Sequence, residues 1–241
     1  MNITACFNLT QEYWPYLMQA IAYVPKGIPV IVAQYGPGAP PKGLAPRVQV
    51  VRAQQFSQNY RRGYVLNVAV RRAETDYVLL CDAAFLFPRN FLDTVSYYVR
   101  PSQVLRFYVA RLTKPATDKV LCGANWEALY SDYSGKNGTT HDLIYGANNP
   151  CVYTRSDLVN LGGYDERISG WGGEDDDLNW RGRKLGLIDF RAPVVVGCMN
   201  DNNVSRLPQY TQRKSPDTIK ILQDKTRPPR ANNGVWGDAQ A

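Results

Sequence analysis

Four consecutive carboxylates, at positions 174–177, form the part of the chain best suited to chemistry. Neighbouring carboxylates repel one another, so such a run needs compensation, which the unpaired amides and positive dipole end of a helix N-terminus can supply. The preceding Gly172 and Gly173 let backbone approach a ligand closely, and Trp171 offers an apolar face of the kind that stacks on a sugar ring. A carboxylate in this setting suits a general base acting on a hydroxyl. The alternative is a helix start whose charges contribute only to stability.

Strands and helices alternate in the part of the chain that must position these carboxylates. Apolar runs predict strands at 3–7, 29–34, 48–51, 77–81 and 188–198, and periodicity or end signals predict helices at about 12–23, 59–73 and 174–186. This order is typical of an α/β fold with a mostly parallel central sheet and helices on both faces. Ligands bind beyond the carboxyl ends of such strands, where Asp82 follows an apolar run. The segment 101–149 has no clear pattern.

Composition indicates one folded domain with a charged C-terminal segment. The 241 residues are 44% apolar and 20% charged, and the net charge is +7. Seven basic and two acidic side chains lie between 206 and 230, so this segment carries +5 of that charge and the remainder +2. We therefore predict a domain at 1–205 and a solvated basic tail at 206–241. Because the charge is not spread over the domain, it argues against a nucleic-acid partner. Contact of the tail with an acidic membrane surface or anionic polymer is the alternative.

The cysteines and the N-terminus bear on the compartment. The five cysteines are widely spaced, and neither they nor the single histidine form a zinc-binding pattern, so we expect free thiols. No apolar run approaches the ~18 residues of a membrane span, and residues 1–10 lack the basic start and apolar core of a signal peptide. We expect a cytoplasmic protein, peripheral to a membrane if the basic tail binds one.

Several motifs together resemble the GT-A fold glycosyltransferases. Trp171-Gly-Gly-Glu-Asp-Asp-Asp177 is similar to the acceptor-site motif of the inverting β-1,4-galactosyltransferases, and Gly162-Gly-Tyr-Asp-Glu166 is similar to chondroitin polymerases and polypeptide N-acetylgalactosaminyltransferases. Tyr60-Arg-Arg-Gly-Tyr-Val-Leu-Asn-Val68 resembles the donor-side helix motif of the galactosyltransferases, and Asp76-Tyr-Val-Leu-Leu-Cys-Asp82 resembles the strand that carries their Asp-x-Asp motif. The resemblance covers most of residues 50–200 and implies the Rossmann-like GT-A fold.

The resemblance also implies a role for each residue that matches these motifs. Asp175 would be the catalytic base that deprotonates an acceptor hydroxyl. The acceptor-binding residues would be Trp171, Gly173, Glu174 and Asp176, and the donor-binding residues would be Arg62, Asn67 and Asp82. For Arg62 a surface helix arginine is the alternative, and for Asp82 a cap of the following turn.

The metal-binding motif departs from the family pattern. Asp82-Ala83-Ala84 stands where the family has Asp-x-Asp, and no histidine occurs around 198–201, where the family has a metal ligand. A divalent cation such as Mn²⁺ or Mg²⁺ prefers several oxygen ligands, and Asp82 would have only distant partners such as Asp201. Either the cation is bound weakly or cationic side chains balance the diphosphate instead.

These observations predict an inverting glycosyltransferase for polysaccharide synthesis. It would move a hexose or N-acetylhexosamine from a nucleotide sugar, UDP-linked by resemblance, to a hydroxyl of a glycan or glycolipid acceptor. A retaining transferase is one alternative, because the Gly-Gly-Tyr-Asp-Glu element also occurs in retaining families. A degenerate, non-catalytic sugar-binding module is another, because the second Asp of the metal motif is lost. A nucleotidyltransferase would share the sheet, but no glycine-rich loop follows the first predicted strand.

Overall fold

A computed structural model describes residues 1–54, 60–133, 141–144, 149–170, 172–200 and 214–237. These residues contain nine strands and eight α-helices. The strands are β1 (Ile3–Thr10), β2 (Val30–Tyr35), β3 (Val48–Ala53), β4 (Tyr77–Asp82), β5 (Phe85–Leu86), β6 (Gln103–Leu112), β7 (His141–Ile144), β8 (Cys151–Thr154) and β9 (Ile188–Cys198). The helices are α1 (Trp14–Tyr23), α2 (Arg62–Arg72), α3 (Phe91–Tyr98), α4 (Lys114–Leu121), α5 (Trp126–Tyr133), α6 (Arg155–Leu161), α7 (Glu174–Lys184) and α8 (Pro216–Gln223).

One sheet contains all of these strands, in the order β3-β2-β1-β4-β8-β6-β9-β5, with β7 beside β6. The first four strands of this order are parallel, and so are β6 and β9, whereas β5, β7 and β8 run antiparallel to their neighbours. The predicted mostly parallel sheet of an α/β fold is confirmed. Asn8 at the end of β1 pairs with Asp82 at the end of β4, so the carboxyl ends of the two central strands meet at one edge.

Helices cover both faces of the sheet, as predicted. Alternate residues of β1 point to opposite faces, and they belong to two apolar clusters: Phe7 to the first and Cys6 to the second. The first cluster also contains residues of α1 and α3, such as Leu17 and Phe91, and the second contains residues of α2, α6 and α7. Every residue of β1 is buried, including the polar Thr4, Asn8 and Thr10, so this strand extends beyond the predicted range 3–7.

The segment 101–149 contains regular structure that its sequence pattern does not reveal. It includes β6, α4, α5 and β7 within its described residues. Strand β6 lies inside the sheet, yet it carries the buried Arg106, whose Nε donates to Asp189 Oδ1 of β9 at 2.6 Å. A buried arginine satisfied by a distant aspartate interrupts the apolar run, so the period alone does not identify this strand.

The C-terminal segment, defined here as residues 214–237, packs against the domain, so the prediction of a solvated tail is wrong for this part. The Ser215 hydroxyl accepts a hydrogen bond from the Thr218 backbone at 3.1 Å and caps α8, and Thr218 is fully buried. Trp236 is 2% exposed and belongs to the cluster of α2 and α6. The predicted boundary at 205 lies outside the described residues, and membrane contact stays a prediction. In the described part of the chain, no helix combines the length and apolarity that crossing a membrane requires.

Candidate active site

Arg62 and Asp82 meet at the edge of the sheet where β1 and β4 end. Asp82 is the last residue of β4, and Arg62 is the first residue of α2. Arg62 Nε donates to Asp82 Oδ1 at 2.8 Å, and Arg62 Nη2 lies 2.8 Å from the same oxygen. A guanidinium is therefore present at the edge where parallel α/β sheets bind their ligands.

Helix α7 brings the acidic run to the same guanidinium. Gly173 precedes the helix with φ +101°, a conformation that favours glycine, and a Cβ there would lie 2.6 Å from Leu222 Cδ1, so this side chain would have to shift. All four carboxylates lie in the first turn of α7. Arg62 Nη1 donates to Glu174 Oε1 at 3.1 Å and to Asp175 Oδ1 at 3.0 Å. An arginine from another helix thus adds to the dipole of α7 in offsetting the repulsion within the run.

Asp175 receives three hydrogen bonds on one carboxylate oxygen. Arg62 Nη1, Tyr164 OH at 3.1 Å and Asn149 Nδ2 at 3.1 Å all donate to Oδ1. Among the described residues no hydrogen bond reaches Oδ2, and the side chain is 25% exposed. A partly exposed carboxylate that is fixed through one oxygen, while no described residue bonds the other, has the geometry that a general base needs.

Burial and neighbouring charges shift the pKa values of the residues around Asp175. Burial alone would lower the pKa of Arg62, but Asp175, Asp82 and Glu174 outweigh burial and hold that pKa well above its usual value. Burial raises the pKa of Glu174, an effect that Arg62 opposes and Asp175 reinforces. Burial and the charge of Asp175 raise the pKa of Tyr164, so this residue donates its hydrogen bond as a neutral phenol. One permanent cation therefore faces three carboxylates, of which Glu174 is biased toward its neutral form.

The structure brings together half of the residues predicted for the site. They are Arg62, Asp82, Glu174 and Asp175. Gly173 adjoins them and contacts Leu222 of α8. Asp176 lies in the same turn and is exposed. Trp171 lies outside the described residues, so its contact with an acceptor stays a prediction.

Asn67 supports the site from within the protein. Its side chain is fully buried, and its amide nitrogen donates to Tyr164 O at 3.0 Å and to Glu166 Oε1 at 2.8 Å. Its side-chain oxygen accepts from Tyr164 N at 2.8 Å. Both amide hydrogens of Asn67 are used to fix the loop that carries Tyr164. Asn67 therefore supports the site from behind, in place of the direct contact with the nucleotide sugar that its motif predicts.

Tyr164 and Asn149 belong to the site, and the sequence-based prediction does not contain them. Tyr164 lies inside the Gly-Gly-Tyr-Asp-Glu motif, so a signal for it is present in the sequence. Asn149 lies in the segment without a clear pattern, just before β8. Its contact with Asp175 depends on β8 running antiparallel to β4, because this direction places the start of β8 at the edge where β4 ends.

Among the described residues, those around Asp82 supply few ligands for a divalent cation. Ala84, at the position of the missing second Asp, is buried in an apolar cluster with Trp126 and Met199 and offers no ligand. Asp82 itself is paired with Arg62. Hard cations require several oxygen ligands, and within the described ranges no group of three His, Cys, Asp or Glu side chains is placed to hold a metal. Asp201 lies outside those ranges.

Comparisons with known proteins match the part of the chain that carries the acidic turn. A family model described as "N-terminal domain of galactosyltransferase" matches residues 150–203. Chondroitin sulfate synthase 3 of Homo sapiens is 33% identical over 138 residues, which are 56% of this chain and 15% of that protein. Chondroitin sulfate N-acetylgalactosaminyltransferase 1 of Mus musculus is 32% identical over 144 residues, 58% of this chain and 27% of that protein. Chondroitin sulfate N-acetylgalactosaminyltransferase 2 of Homo sapiens is 31% identical over 146 residues, which are 58% of this chain and 26% of that protein. The chain thus aligns with less than a third of the length of these relatives.

The matched family segment coincides with the structural core of the site. Residues 150–203 include β8, α6, α7 and β9, and with them the acidic turn that carries Asp175. The sheet that these elements complete is the Rossmann-like sheet that the motifs predict. The comparisons and the sheet together support a glycosyltransferase of the GT-A fold, similar to the group that contains the galactosyltransferases and the chondroitin-synthesising transferases.

Proposed function

We propose that the chain transfers a sugar from a nucleotide sugar to a hydroxyl of a glycan acceptor, with inversion at the anomeric carbon. The observation that carries this proposal is the setting of Asp175, whose Oδ1 is held by three donors while Oδ2 accepts no hydrogen bond from any described residue. The names of the relatives support sugar transfer in general. A hexose or N-acetylhexosamine is the sugar class that these names favour.

The reaction requires one proton transfer and one displacement. The acceptor oxygen forms a bond to the anomeric carbon while the bond from that carbon to the phosphate oxygen breaks. The hydroxyl proton passes to Asp175 Oδ2, and the electron pair of the broken bond leaves with the nucleoside diphosphate. Attack from the face opposite the leaving group inverts the anomeric configuration. Asp175 then releases its proton to solvent, which its 25% exposed side chain can reach.

Acceptor binding is assigned to the N-terminal turn of α7. Glu174 and Asp176, in the first turn of α7, are proposed to accept hydrogen bonds from sugar hydroxyls. Gly173 is proposed to offer its backbone to the acceptor, because Leu222 already fills the space that a Cβ would occupy there. The Glu174 side chain is 9% exposed and bonded to Arg62, so it reaches only an acceptor that enters the cleft. Trp171 is proposed to stack on the acceptor ring.

Donor binding is assigned to the carboxyl ends of β1 and β4. The Asp82 side chain is 38% exposed there, and Asn8 is its partner in the register. Asn8 Oδ1 is buried and accepts no hydrogen bond from the described residues, so a ribose hydroxyl or a base N–H would satisfy it. Arg62 Nη2 likewise has no well-aligned acceptor in the described part of the chain, and a phosphate oxygen suits a guanidinium. These groups support a nucleoside diphosphate, for which the family resemblance indicates UDP.

We further propose that any divalent cation binds weakly. The excess of carboxylates over cations around Arg62 attracts positive charge, but Asp82 is the one carboxylate left of the family's Asp-x-Asp pair. One ligand already paired with an arginine does not form the octahedral oxygen shell that Mg²⁺ or Mn²⁺ prefers. Arg62 is therefore proposed to share the task of balancing the leaving diphosphate.

Thermal unfolding with UDP, GDP and TDP, each with Mn²⁺ or with a chelator, tests the donor site. UDP is expected to stabilise the protein in chelator by about 2.7 kcal/mol at roughly 100 times its Kd, because it binds only the folded state. Mn²⁺ is expected to add to this shift only at high concentration. A UDP shift that appears with Mn²⁺ and is lost in chelator would show that UDP binding requires the cation and would contradict this proposal. No shift with any nucleotide would contradict the donor site.

A further inference from the structure

The C-terminal segment touches both elements that hold Asp175. Its helix α8 places Leu222 against Gly173, and Thr218 Oγ1 accepts from Ser169 N at 2.9 Å and donates to Ser169 O at 3.1 Å. Further along, Asn232 Nδ2 donates to the carbonyl oxygen of Tyr164 at 2.6 Å. The segment thus contacts both the loop 162–170 and the residue before α7.

Arg227 is the residue of this segment that joins the two elements directly. Its Nη2 is bonded to Asp177 Oδ1 of α7, and its Nη1 lies 3.6 Å from Asp165 Oδ2 of the loop. Both aspartates are fully buried, and the Arg227 side chain is 8% exposed. The guanidinium also packs 4.5 Å from the centre of the Trp180 ring on α7.

The two bridged aspartates are close neighbours of the base and of its partner. Asp177 lies in the same first turn of α7 as Asp175. Asp165 directly follows Tyr164, whose hydroxyl donates to Asp175 Oδ1 at 3.1 Å. Each aspartate also has a second arginine, Arg181 for Asp177 and Arg167 for Asp165, but each of these binds only one of the two in the described structure. Among the ion pairs of the described residues, Arg227 is the arginine that pairs with both aspartates.

We infer that Arg227 is a positioning residue for the proposed transfer reaction: it fixes the distance between the Tyr164 loop and the Asp175 turn. This inference rests on the proposed function for its catalytic readout. The planar guanidinium can bond two carboxylates and stack on Trp180 at once. A lysine ammonium keeps the charge but lacks the planar set of N–H donors that reaches both carboxylates. A displacement of a catalytic group by about 1 Å can cost about 10²-fold in rate.

The test compares Arg227→Lys and Arg227→Gln with the control Arg230→Gln, an exposed arginine three positions further along the same segment. Three quantities are measured on the full chain: kcat with the donor and acceptor found active, the Kd of UDP, and amide exchange across the chain. For Arg227→Gln we expect kcat to fall by about 10–100-fold, while the Kd of UDP stays within about twofold, because the segment contacts the acceptor side of the site. Arg227→Lys should recover part of kcat.

Amide exchange gives a readout that does not depend on activity. Exchange should quicken in 162–170 and 174–184 for both Arg227 variants, with β1 and β4 unchanged, and Arg230→Gln should match the parent protein. If the parent protein transfers no sugar, the proposed function fails, and this exchange pattern alone decides whether Arg227 links the loop to α7. An unchanged kcat and exchange pattern in folded Arg227→Gln would overturn the inference. So would a parallel loss of kcat, UDP binding and protection across the whole chain, because that pattern indicates general destabilisation.

Discussion

Asp175→Asn is expected to lower kcat by about 10²–10⁴-fold, the range that loss of a general base produces. Asparagine has the same shape and can keep an oxygen at the Oδ1 position for Arg62, Tyr164 and Asn149. It cannot take up the proton of the acceptor hydroxyl. Because the nucleotide is assigned to the ends of β1 and β4, the Kd of UDP and the unfolding temperature should change little.

The matched control for this variant is Asp93→Asn. Asp93 is exposed and also lies in the first turn of a helix, α3, where its charge interacts with the helix dipole in the same way. Its replacement should leave kcat unchanged. If Asp175→Asn retained the activity of the parent protein, the base would have to be another residue, whereas binding without turnover in the parent would favour the non-catalytic sugar-binding module.

Arg62→Met is expected to lower the free energy of unfolding by about 3 kcal/mol, because a buried carboxylate left without its cation is strongly destabilising. The Arg62 side chain is 14% exposed, and it is paired with Asp82, Glu174 and Asp175. Activity should be lost as well, since the base loses one of its three hydrogen bonds and the diphosphate loses its nearest cation.

The destabilisation by Arg62→Met should also depend on pH. Burial already raises the pKa of Glu174 in the folded protein above its unfolded value of 4.5, and removal of Arg62 takes away the opposing charge. A carboxyl with a raised folded pKa stabilises the fold fully below the unfolded pKa and loses that contribution as pH rises through the folded pKa. The deficit of the variant should therefore grow from about pH 4.5 upward.

Urea unfolding across this pH range gives the comparison, with Arg72→Met as control. Arg72 is exposed and lies in the last turn of the same helix, α2, so its loss removes a cation without exposing a buried carboxylate. The control should stay within about 0.5 kcal/mol of the parent protein. If the loss of unfolding free energy in Arg62→Met became smaller as pH rose, Glu174 would not be the carboxylate that is left without a cation.

The sequence alone predicts the parts of the fold that follow from local pattern. The apolar run before Asp82 identifies the central strand β4 and its functional edge, because a strand buried on both faces needs such a run. The acidic run after Gly173 identifies the start of α7. Local pattern identifies each of these elements, and the family resemblance is what assigns Asp82 and Asp175 to one site.

What the sequence does not predict depends on contacts between distant residues. The partner of Glu174 and Asp175 is Arg62, more than a hundred positions earlier, and no local period indicates that pairing. The basic excess at 206–230 suggests solvation, yet Arg227 from this segment is buried against Asp177. The Ser215-Pro216 pair is a helix-start signal that could have identified α8.

The anomeric configuration of the product tests the central claim most directly. The protein would be incubated with α-linked UDP-sugars and a panel of oligosaccharide acceptors, and the new linkage would be read from the anomeric proton coupling by NMR. A single base such as Asp175 acting on the acceptor hydroxyl predicts a β-linked product. An α-linked product would contradict inversion and favour the retaining alternative.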